Sequence, residues 1–395
     1  MIARMTEGGK WLVKNELLSQ ALLQLVYQSA SPFNLTAIEI MNILSVICSV
    51  LAIWILLQFS RLYQLKPAWP LLLFGSSGFL IYACGHTEYY PVFLPAMFIY
   101  GLMAVLYLRD KCSITGAALS FVIACGLHFG MMIALPSLLL LPLLKKRPGD
   151  WGTIALWLVL IAPLVLIRNY PQMLGHKAAG LSPAWNFLPW FPSEGMYRHY
   201  AVFQWGHLAD LLYAWSMRSW IFWIAIAAVF LTKIDKHIDK DKYQNERRFL
   251  FLYTICFTVW SLLWHPDLGI EADWDLFAIE AAPCLLLLIT YMTAIKDRMA
   301  MSTMLAIACC ASMMINYSHI RSKTDFPHHG YGQVELQLKR PIKAEFTLGG
   351  YNRELSIPHI AEGTYQAKLI DQTNRRVHEM NIVVIKNYST SLTIE

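Results

Sequence analysis

Long apolar runs recur between residues 36 and 316, and they restrict the fold more than any other feature of the sequence. A transmembrane helix needs about 20 mostly apolar residues, and a bilayer admits only segments that satisfy their own backbone hydrogen bonds. Ten apolar runs are near this length, although the two on either side of His128 could instead form one long broken helix. We expect helices near residues 36–59, 68–84, 90–108, 114–128, 129–144, 151–168, 218–232, 249–264, 275–295 and 299–316. The chain is therefore predicted to be an α-helical polytopic membrane protein.

The composition agrees with this class of protein. Hydrophobic residues make up 56% of the chain and charged residues 15%, whereas soluble domains carry about 25% charged residues. The net charge of +6 comes from basic residues in short loops, so it indicates membrane orientation and no nucleic-acid partner. Most of the eight cysteines lie inside apolar runs and no CxxC occurs, which favours buried thiols over a disulfide framework.

The basic loops predict which side of the membrane each loop faces. Lysine and arginine cluster in every second loop, at Arg61 and Lys66, Arg109 and Lys111, 145–150, 233–248 and 296–298. Because cytoplasmic loops are enriched in Lys and Arg, we place these loops in the cytoplasm and the chain in the inner (cytoplasmic) membrane. The exocytoplasmic side then receives residues 1–35, 85–91, the turn at His128, 169–217, 265–274 and the tail from residue 317.

The two ends of the chain are predicted to lie outside the transmembrane domain, residues 36–316. Residues 1–35 are expected to form an exocytoplasmic juxtamembrane segment, with an amphipathic interfacial helix over 11–30. Since no apolar signal segment precedes this outer N-terminus, we expect an upstream transmembrane helix to be missing from the chain. Residues 317–332 are predicted to be a linker. Alternation at period two over 333–395 predicts a small exocytoplasmic antiparallel β-sandwich.

The densest group of charges lies in WHPDLGIEADWD, residues 264–275. Asp273 and Asp275 are two positions apart, so in an extended segment both side chains face the same way. They could bind one divalent cation, Mg²⁺ or Mn²⁺, or one could act as a general base while the other binds the metal. Alternatively, Asp275 only caps the helix that follows it. His265 and Asp267 are candidate substrate contacts in the same loop.

Two other predicted outer turns carry ionisable groups. The turn GHTEYYP, residues 85–91, holds His86 and Glu88, which could face the same site as Asp273. The alternative is a polar turn with an interfacial aromatic belt. His128 lies inside an apolar stretch in which flanking glycines predict a break. Because ionisable groups inside a membrane are costly, His128 is a candidate substrate contact; alternatively, it bonds a backbone carbonyl that the break frees.

Segment 169–217 is rich in tryptophan and tyrosine. Within it, HYAVFQWGHLADLLYAW can form an amphipathic helix on the membrane surface, with His207 and Asp210 spaced to pair. The aromatic rings fit either an interfacial belt or a stacking surface for sugars. Arg168 and Arg198 could contact a phosphate group of a substrate.

This layout and four short motifs resemble the GT-C glycosyltransferases, the polyprenyl-phosphate-sugar-dependent enzymes that include protein O-mannosyltransferases and aminoarabinose transferases. The motifs are KNELLSQALL with Glu16, GHTEYYP with His86 and Glu88, GLHFGMMIALP with His128, and HPDLGIEADWDLFA with Asp273. In layout, the resemblance covers most of the chain before the tail. It implies a GT-C-like arrangement of the transmembrane helices.

The resemblance also implies an activity. A sugar would pass from a lipid phosphate, such as undecaprenyl phosphate, to a glycan, lipid or protein acceptor at the outer membrane face. An acidic residue would act as the base, and Glu16, Glu88 and Asp273 are the candidates in this chain. Such activated donors need a base, phosphate contacts and orientation more than a cofactor. Glu16 is equally interpretable as a solvated position on the amphipathic helix.

Two other functions are compatible with the sequence. A transporter or flippase places ionisable groups near the bilayer midplane, and His128 and Glu280 stand out inside apolar runs. Lipid-linked glycan polymerases and ligases share the compartment and the type of donor. Most charges outside the basic loops fall at the predicted outer rim of the helices, which favours an enzyme with a site at that surface.

Overall fold

The computed structural model describes residues 17–33, 35–85, 90–163, 188–191, 201–217, 220–234, 243–264, 278–295, 302–303, 306–314, 331–337, 342–347, 363–371 and 376–384. The chain forms two compact units, residues 1–317 and 318–395. Each unit is described by itself.

Helices are the main elements of the described part of the first unit. Its helices are α1 (Leu17–Ala30), α2 (Ala37–Arg61), α3 (Ala68–Gly75), α4 (Phe79–Ala83), α5 (Tyr90–Leu108), α6 (Ile114–Leu127), α7 (Leu135–Lys145), α8 (Asp150–Val159), α9 (Trp205–Met217), α10 (Trp220–Ile234), α11 (Gln244–Leu263) and α12 (Ala281–Ile295). Short 3₁₀ turns occupy Ser31–Phe33 and Phe129–Ala134. Residues 306–314 are also helical.

Helices α2 and α5 are long and apolar enough to cross a membrane, at 25 and 19 residues. Helices α9 and α10 pass the same test only together, across a bend of 86°. A capping box fixes the start of α2: the Thr36 hydroxyl accepts the N–H of Glu39 at 3.3 Å, and the Glu39 carboxylate accepts the N–H of Thr36 at 2.7 Å. The expectation of apolar membrane helices is confirmed for these elements, and the count of ten spans stays a prediction.

The single helix predicted over residues 68–84 is wrong. The chain forms two short helices there, α3 and α4, which are separated at Ser76–Gly78. The hydroxyl of Ser76 donates to the carbonyl of Leu73 at 2.8 Å, and that of Ser77 donates to the carbonyl of Phe74 at 2.7 Å. Such side-chain bonds to the backbone compete with the helical ladder.

The break predicted around His128 is present. Helix α6 ends at Leu127, His128 is extended (φ −150°, ψ 117°), and the 3₁₀ turn Phe129–Ala134 leads into α7. Nδ1 of His128 accepts the backbone N–H of Gly130 at 3.1 Å. The histidine therefore caps the new turn by accepting an amide through Nδ1, and the bond to a freed carbonyl that the sequence suggested as an alternative stays a prediction.

Aromatic side chains fill the core between α5, α6 and α11. The buried ring of Tyr100 lies edge-on to Tyr253, with centroids 5.1 Å apart, and its hydroxyl shares a hydrogen bond of 2.8 Å with Ser137. Gly101 allows α12 to approach α5 closely, since a Cβ there would come within 2.2 Å of the end of the Leu286 side chain. These contacts pack the middle of α5 against α11 and α12.

The second unit contains a four-stranded antiparallel sheet. Its strands are β1 (Tyr331–Gln337), β2 (Ile342–Thr347), β3 (Gly363–Asp371) and β4 (Arg376–Val384), in the spatial order β2-β1-β3-β4. Strands β3 and β4 form a hairpin whose register runs from Gly363 opposite Val384 to Asp371 opposite Arg376. A sandwich requires a second sheet, and the described strands form only this one. The β-sandwich therefore stays a prediction.

Candidate functional site

Charged and aromatic side chains meet where α2 and α5 end and α11 begins; we call this region the basic end. Arg109 binds Glu246 in a bidentate ion pair, with both N–O distances 2.9 Å. Its third nitrogen donates to the carbonyl of Leu62 at 2.8 Å, and its guanidinium lies 4.6 Å from the ring centre of Tyr63. The Tyr63 hydroxyl donates to Glu246 as well. The pair is largely removed from solvent, which strengthens its electrostatic attraction.

One further loop, which follows α7, joins the basic end. Lys145 pairs with Asp110 and donates to the carbonyl of Leu108 at 2.8 Å, and Arg147 contacts Asp110 at 2.8 Å. Asn245, in α11, donates to the carbonyl of Leu144 at 3.2 Å. The hydrogen bond from Lys145 holds the pKa of the Asp110 carboxyl below its usual value. The basic loops after α2, α5 and α7 and the start of α11 thus lie together.

The other end of the same helices is organised around His128. This histidine is only 4% exposed, and its ring lies 5.4 Å from that of Tyr90 and 5.2 Å from that of Phe93. Tyr90 begins α5 and Arg109 follows its last residue, so the helix separates the two regions by about 28 Å. Because Nδ1 accepts the Gly130 amide, a neutral imidazole carries its proton on Nε2.

Helix α11 contributes Trp260, and Trp264 directly follows its last residue; the two rings are 5.2 Å apart. Gly130 lies between His128 and Trp260, since a Cβ on it would be 2.7 Å from Nδ1 of the histidine and 3.9 Å from Nε1 of the tryptophan. We call the group formed by Tyr90, Phe93, His128, Trp260 and Trp264 the histidine end.

Glu280 is the second buried ionisable group near this end of α11. The sequence suggested a charge within the helix 275–295, but Glu280 occupies a turn directly before α12. It is fully buried and accepts the Ser261 hydroxyl at 2.7 Å. A carboxylate at a helix N-terminus is stabilised by the helix dipole. Glu280 could be singled out from the sequence because it interrupts an apolar run. No pattern in the sequence indicated that Ser261 would be its partner.

Segments from other parts of the chain attach at the C-terminal ends of α6 and α11. Ser19 of α1 donates to the carbonyl of Leu127 at 2.8 Å. The backbone N–H of Leu188 donates to the carbonyl of Leu263 at 2.7 Å, and Nε2 of His207 donates to that of Leu262 at 2.8 Å. His207 was expected to pair with Asp210, and the contact with α11 is an additional role for its ring.

Most predicted site residues fall outside the described residues: Glu16, His86, Glu88, Arg168, Arg198, His265, Asp267, Asp273 and Asp275. The exception is His128. Within the described residues, no group of three or more His, Cys, Asp or Glu side chains is arranged to hold a metal ion. The cation site at Asp273 and Asp275 therefore stays a prediction.

Described residues nevertheless flank several of these candidates in the chain. Leu17 follows Glu16, and Gly85 and Tyr90 enclose the segment with His86 and Glu88. Trp264 precedes His265, and the same segment, with Asp273 and Asp275, ends shortly before Glu280. Tyr90, Trp264 and the start of α1 belong to, or adjoin, the histidine end. The covalent chain thus enters and leaves these candidate loops at one end of the helical unit.

Comparison with known proteins assigns no family: no protein-family model, curated protein or solved structure matches the chain. The fold and the two polar ends define its class. It is a helical protein with apolar helices that can cross a lipid bilayer, joined to a separate unit with an antiparallel sheet.

Proposed function

We propose that the chain is an integral membrane glycosyltransferase. It transfers a sugar from a polyprenyl-phosphate donor to a glycan, lipid or protein acceptor at the exocytoplasmic face of the inner membrane. The observation that carries the proposal is the convergence of loop attachment points at the histidine end: Ser19 at Leu127, Tyr90 at His128, and Trp264 at Trp260. Loops that attach at the same end of a helical unit can form one site.

The proposed chemistry needs a base and a cradle for phosphate. Glu16, Glu88 or Asp273 removes the acceptor proton, and Arg168 and Arg198 hold the lipid phosphate. His128, which accepts the Gly130 amide through Nδ1, is the proposed substrate contact at this end. Asp273 and Asp275 offer a carboxylate pair that could bind Mg²⁺ or Mn²⁺. The proposed roles of the base and of the phosphate contacts are the same with or without the metal.

The proposed topology has ten spans in a GT-C-like layout. The basic end faces the cytoplasm because Lys and Arg are enriched in cytoplasmic loops. The histidine end and the sheet of the second unit then face the exocytoplasmic side. Helix α5, with 19 apolar residues, has a length of about 28 Å, which is close to the thickness of the hydrocarbon core.

A donor-turnover assay tests the proposal. Membranes containing the chain are given polyprenyl-phosphate sugars, and released polyprenyl phosphate is measured, so the acceptor need not be known. Glu16→Gln, Glu88→Gln and Asp273→Asn are compared at equal folded protein. The variant that removes the base should lower turnover by about 10²–10⁴-fold. Asp239→Asn, in the charged loop 233–248, is the matched control and should leave turnover unchanged.

Turnover that is absent in the wild-type chain, together with no binding of the donor, would overturn the proposal. Turnover equal to that of the wild-type chain in all three carboxylate variants would show that none of these residues is the base. That result would contradict the assignment of residues. A polymerase or ligase differs in its product: the transferred unit would be a glycan rather than a single sugar.

Transport is a second candidate because one observation favours it. His128 and Glu280 are buried ionisable groups at two interruptions of apolar runs, as transporters often place them. Reconstituted vesicles with a fluorescent lipid-linked sugar separate the two functions. A flippase moves the intact lipid between leaflets, whereas a transferase cleaves it.

A further inference from the structure

One surface of the first unit exposes large apolar side chains outside the two helices, α2 and α5, that are each long and apolar enough to span a membrane. It consists of Trp190, Phe191, Phe203, Trp205, Leu212 and Tyr213, and we call it the aromatic surface. Trp205 is 85% exposed and Phe191 is 69% exposed. Exposed apolar patches of this kind mark an interaction with a partner or with lipid.

The aromatic surface is an ordered arrangement of two chain segments. The ring of Phe203 stacks on Trp190, with centroids 5.7 Å apart and planes at 28°, and it also contacts Phe191 at 5.7 Å. The backbone N–H of Val202 donates to the carbonyl of Pro189 at 2.9 Å, and that of Phe203 donates to the carbonyl of Trp190 at 3.2 Å. Val202 itself is buried, so the segment is anchored while its rings face outward.

Helix α9 continues the surface with an apolar stripe. Its exposed positions include Trp205, Ala209, Leu212 and Tyr213, which recur at helical spacing on one face. The opposite face buries His207 and two apolar residues. A helix that faced water would place charged or polar residues on the exposed stripe, so this pattern indicates an apolar surrounding on both faces.

The direction of α9 indicates that the apolar environment of its exposed face is lipid. The bend to α10 is 86°, and α10 is strongly apolar. If α10 runs along the membrane normal, α9 lies in the membrane plane, as interfacial helices do. Tryptophan and tyrosine are also the residues enriched at the boundary between lipid and water. Helix α2, which is long and apolar enough to span a membrane, also exposes large apolar side chains, including Val50 and Trp54.

We propose that the aromatic surface is immersed in the interfacial zone of the bilayer, where its partner is lipid. A sugar-stacking site would combine rings with several hydrogen-bonding groups on the same face, and the exposed stripe of α9 offers only the Trp205 indole N–H and the Tyr213 hydroxyl. The contacts of Leu188 and His207 with Leu263 and Leu262 then fix the C-terminal end of α11 at the same depth. The histidine end then lies at the level of the lipid phosphates. This one consequence rests on the proposed function.

Spin labels measure this depth in the intact chain. Cys84, Cys112 and Cys310 are replaced by serine because they are the native cysteines that are not buried. A nitroxide is then attached after Phe203→Cys or Leu212→Cys in proteoliposomes, and its collision rates with oxygen and with a water-soluble nickel complex are compared. Val50→Cys in α2 is the control within lipid, and Lys66→Cys, in an exposed loop, is the control in water.

Interfacial immersion predicts a ratio of oxygen to nickel collisions at 203 and 212 that is several-fold above Lys66→Cys and below Val50→Cys. A ratio equal to that of Lys66→Cys would place the surface in water, available to a glycan or protein, and would overturn the proposal. A ratio equal to that of Val50→Cys would place it within the acyl chains and overturn it too. Neither failure bears on donor turnover, so the proposed transferase stands or falls separately.

A second measurement avoids cysteine variants, which removes the risk that Phe203→Cys does not fold. Lipids brominated near the head group quench tryptophan emission only in rings that contact lipid at that depth. Trp205→Phe should lower the quenched share of the emission, and Trp260→Phe, which removes a buried ring, should raise it. An unchanged quenched share in Trp205→Phe would contradict immersion of this surface.

Discussion

At the basic end, charged side chains join helices that are distant in sequence, whereas at the histidine end aromatic rings and backbone groups make the contacts. Arg109 and Glu246 are 137 positions apart and form a closed, bidentate pair. His128 instead accepts the amide of its neighbour Gly130 and lies among rings. The first arrangement holds a structure, and the second keeps an ionisable ring at the base of several loops. Stability should therefore depend more on the basic end, and activity should depend more on the histidine end.

The largest expected effect on stability is at the basic end. Arg109→Met leaves the mostly buried carboxylate of Glu246 without its cation, which should lower the free energy of unfolding by about 3 kcal/mol. Unfolding in mixed detergent micelles measures this. Donor turnover per folded molecule should not change, because the substitution is a helix length away from the histidine end.

Two controls sharpen this prediction. Arg147→Met removes the corresponding cation from an exposed pair and should cost much less. Arg109→Met combined with Glu246→Leu removes both charges and should recover much of the lost stability, since no buried charge is then left unpaired. Equal losses in Arg109→Met and Arg147→Met would show that the basic end does not hold the helices as described.

Gly130→Ala tests the packing at the histidine end. The added Cβ would lie 2.7 Å from Nδ1 of His128, so the ring must move and the amide contact is lost. We expect a loss of about 1–3 kcal/mol in the free energy of unfolding, together with a loss of donor turnover. Gly152→Ala in α8 is the matched control, since a Cβ there meets nothing within 4 Å. It should be neutral or stabilising by up to about 1 kcal/mol.

The two ends also differ in what the sequence could predict. The histidine break was predictable because glycines flank an ionisable residue inside an apolar run, and α5 was predictable because its apolar run has clear limits. The interruption at Ser76 was missed, since short hydroxyl side chains sit in apolar runs without altering their hydropathy. The pairing of Arg109 with Glu246 was missed because no local pattern links residues on different helices.

Conversely, the candidate residues that the sequence favoured most, such as Asp273 and Glu88, lie outside the described residues. What the fold adds is the position of their neighbours in the chain. Trp264 and Tyr90 belong to the same aromatic group although the sequence separates them by most of the helical domain. Proximity of this kind depends on helix packing, which a linear pattern of hydropathy does not contain.

His128→Asn separates a capping role from a chemical one. The asparagine side chain can accept the Gly130 amide in place of Nδ1, so the free energy of unfolding should change by less than about 1 kcal/mol. Donor turnover should fall by about 10²-fold if the imidazole contacts the donor. Full turnover with unchanged stability would show that His128 serves only as a cap. The two ends would then not differ in their importance for activity.

The smallest effect should come from Asp110, at the exposed edge of the basic end. The hydrogen bond from Lys145 lowers the pKa of its carboxyl below the ordinary value of 3.8, and Arg147 contributes in the same direction. A carboxyl with a lowered pKa in the folded state adds stability above its unfolded pKa, and this contribution is lost as the pH falls through the folded pKa. Asp110→Asn should thus be slightly less stable than the wild-type chain at neutral pH, and the two should converge as the pH falls below 3.8. The difference should also shrink in about 1 M salt, because exposed charges are screened. A pH-independent difference measured in the same unfolding titration would mean that Asp110 acts through its shape and not through its charge.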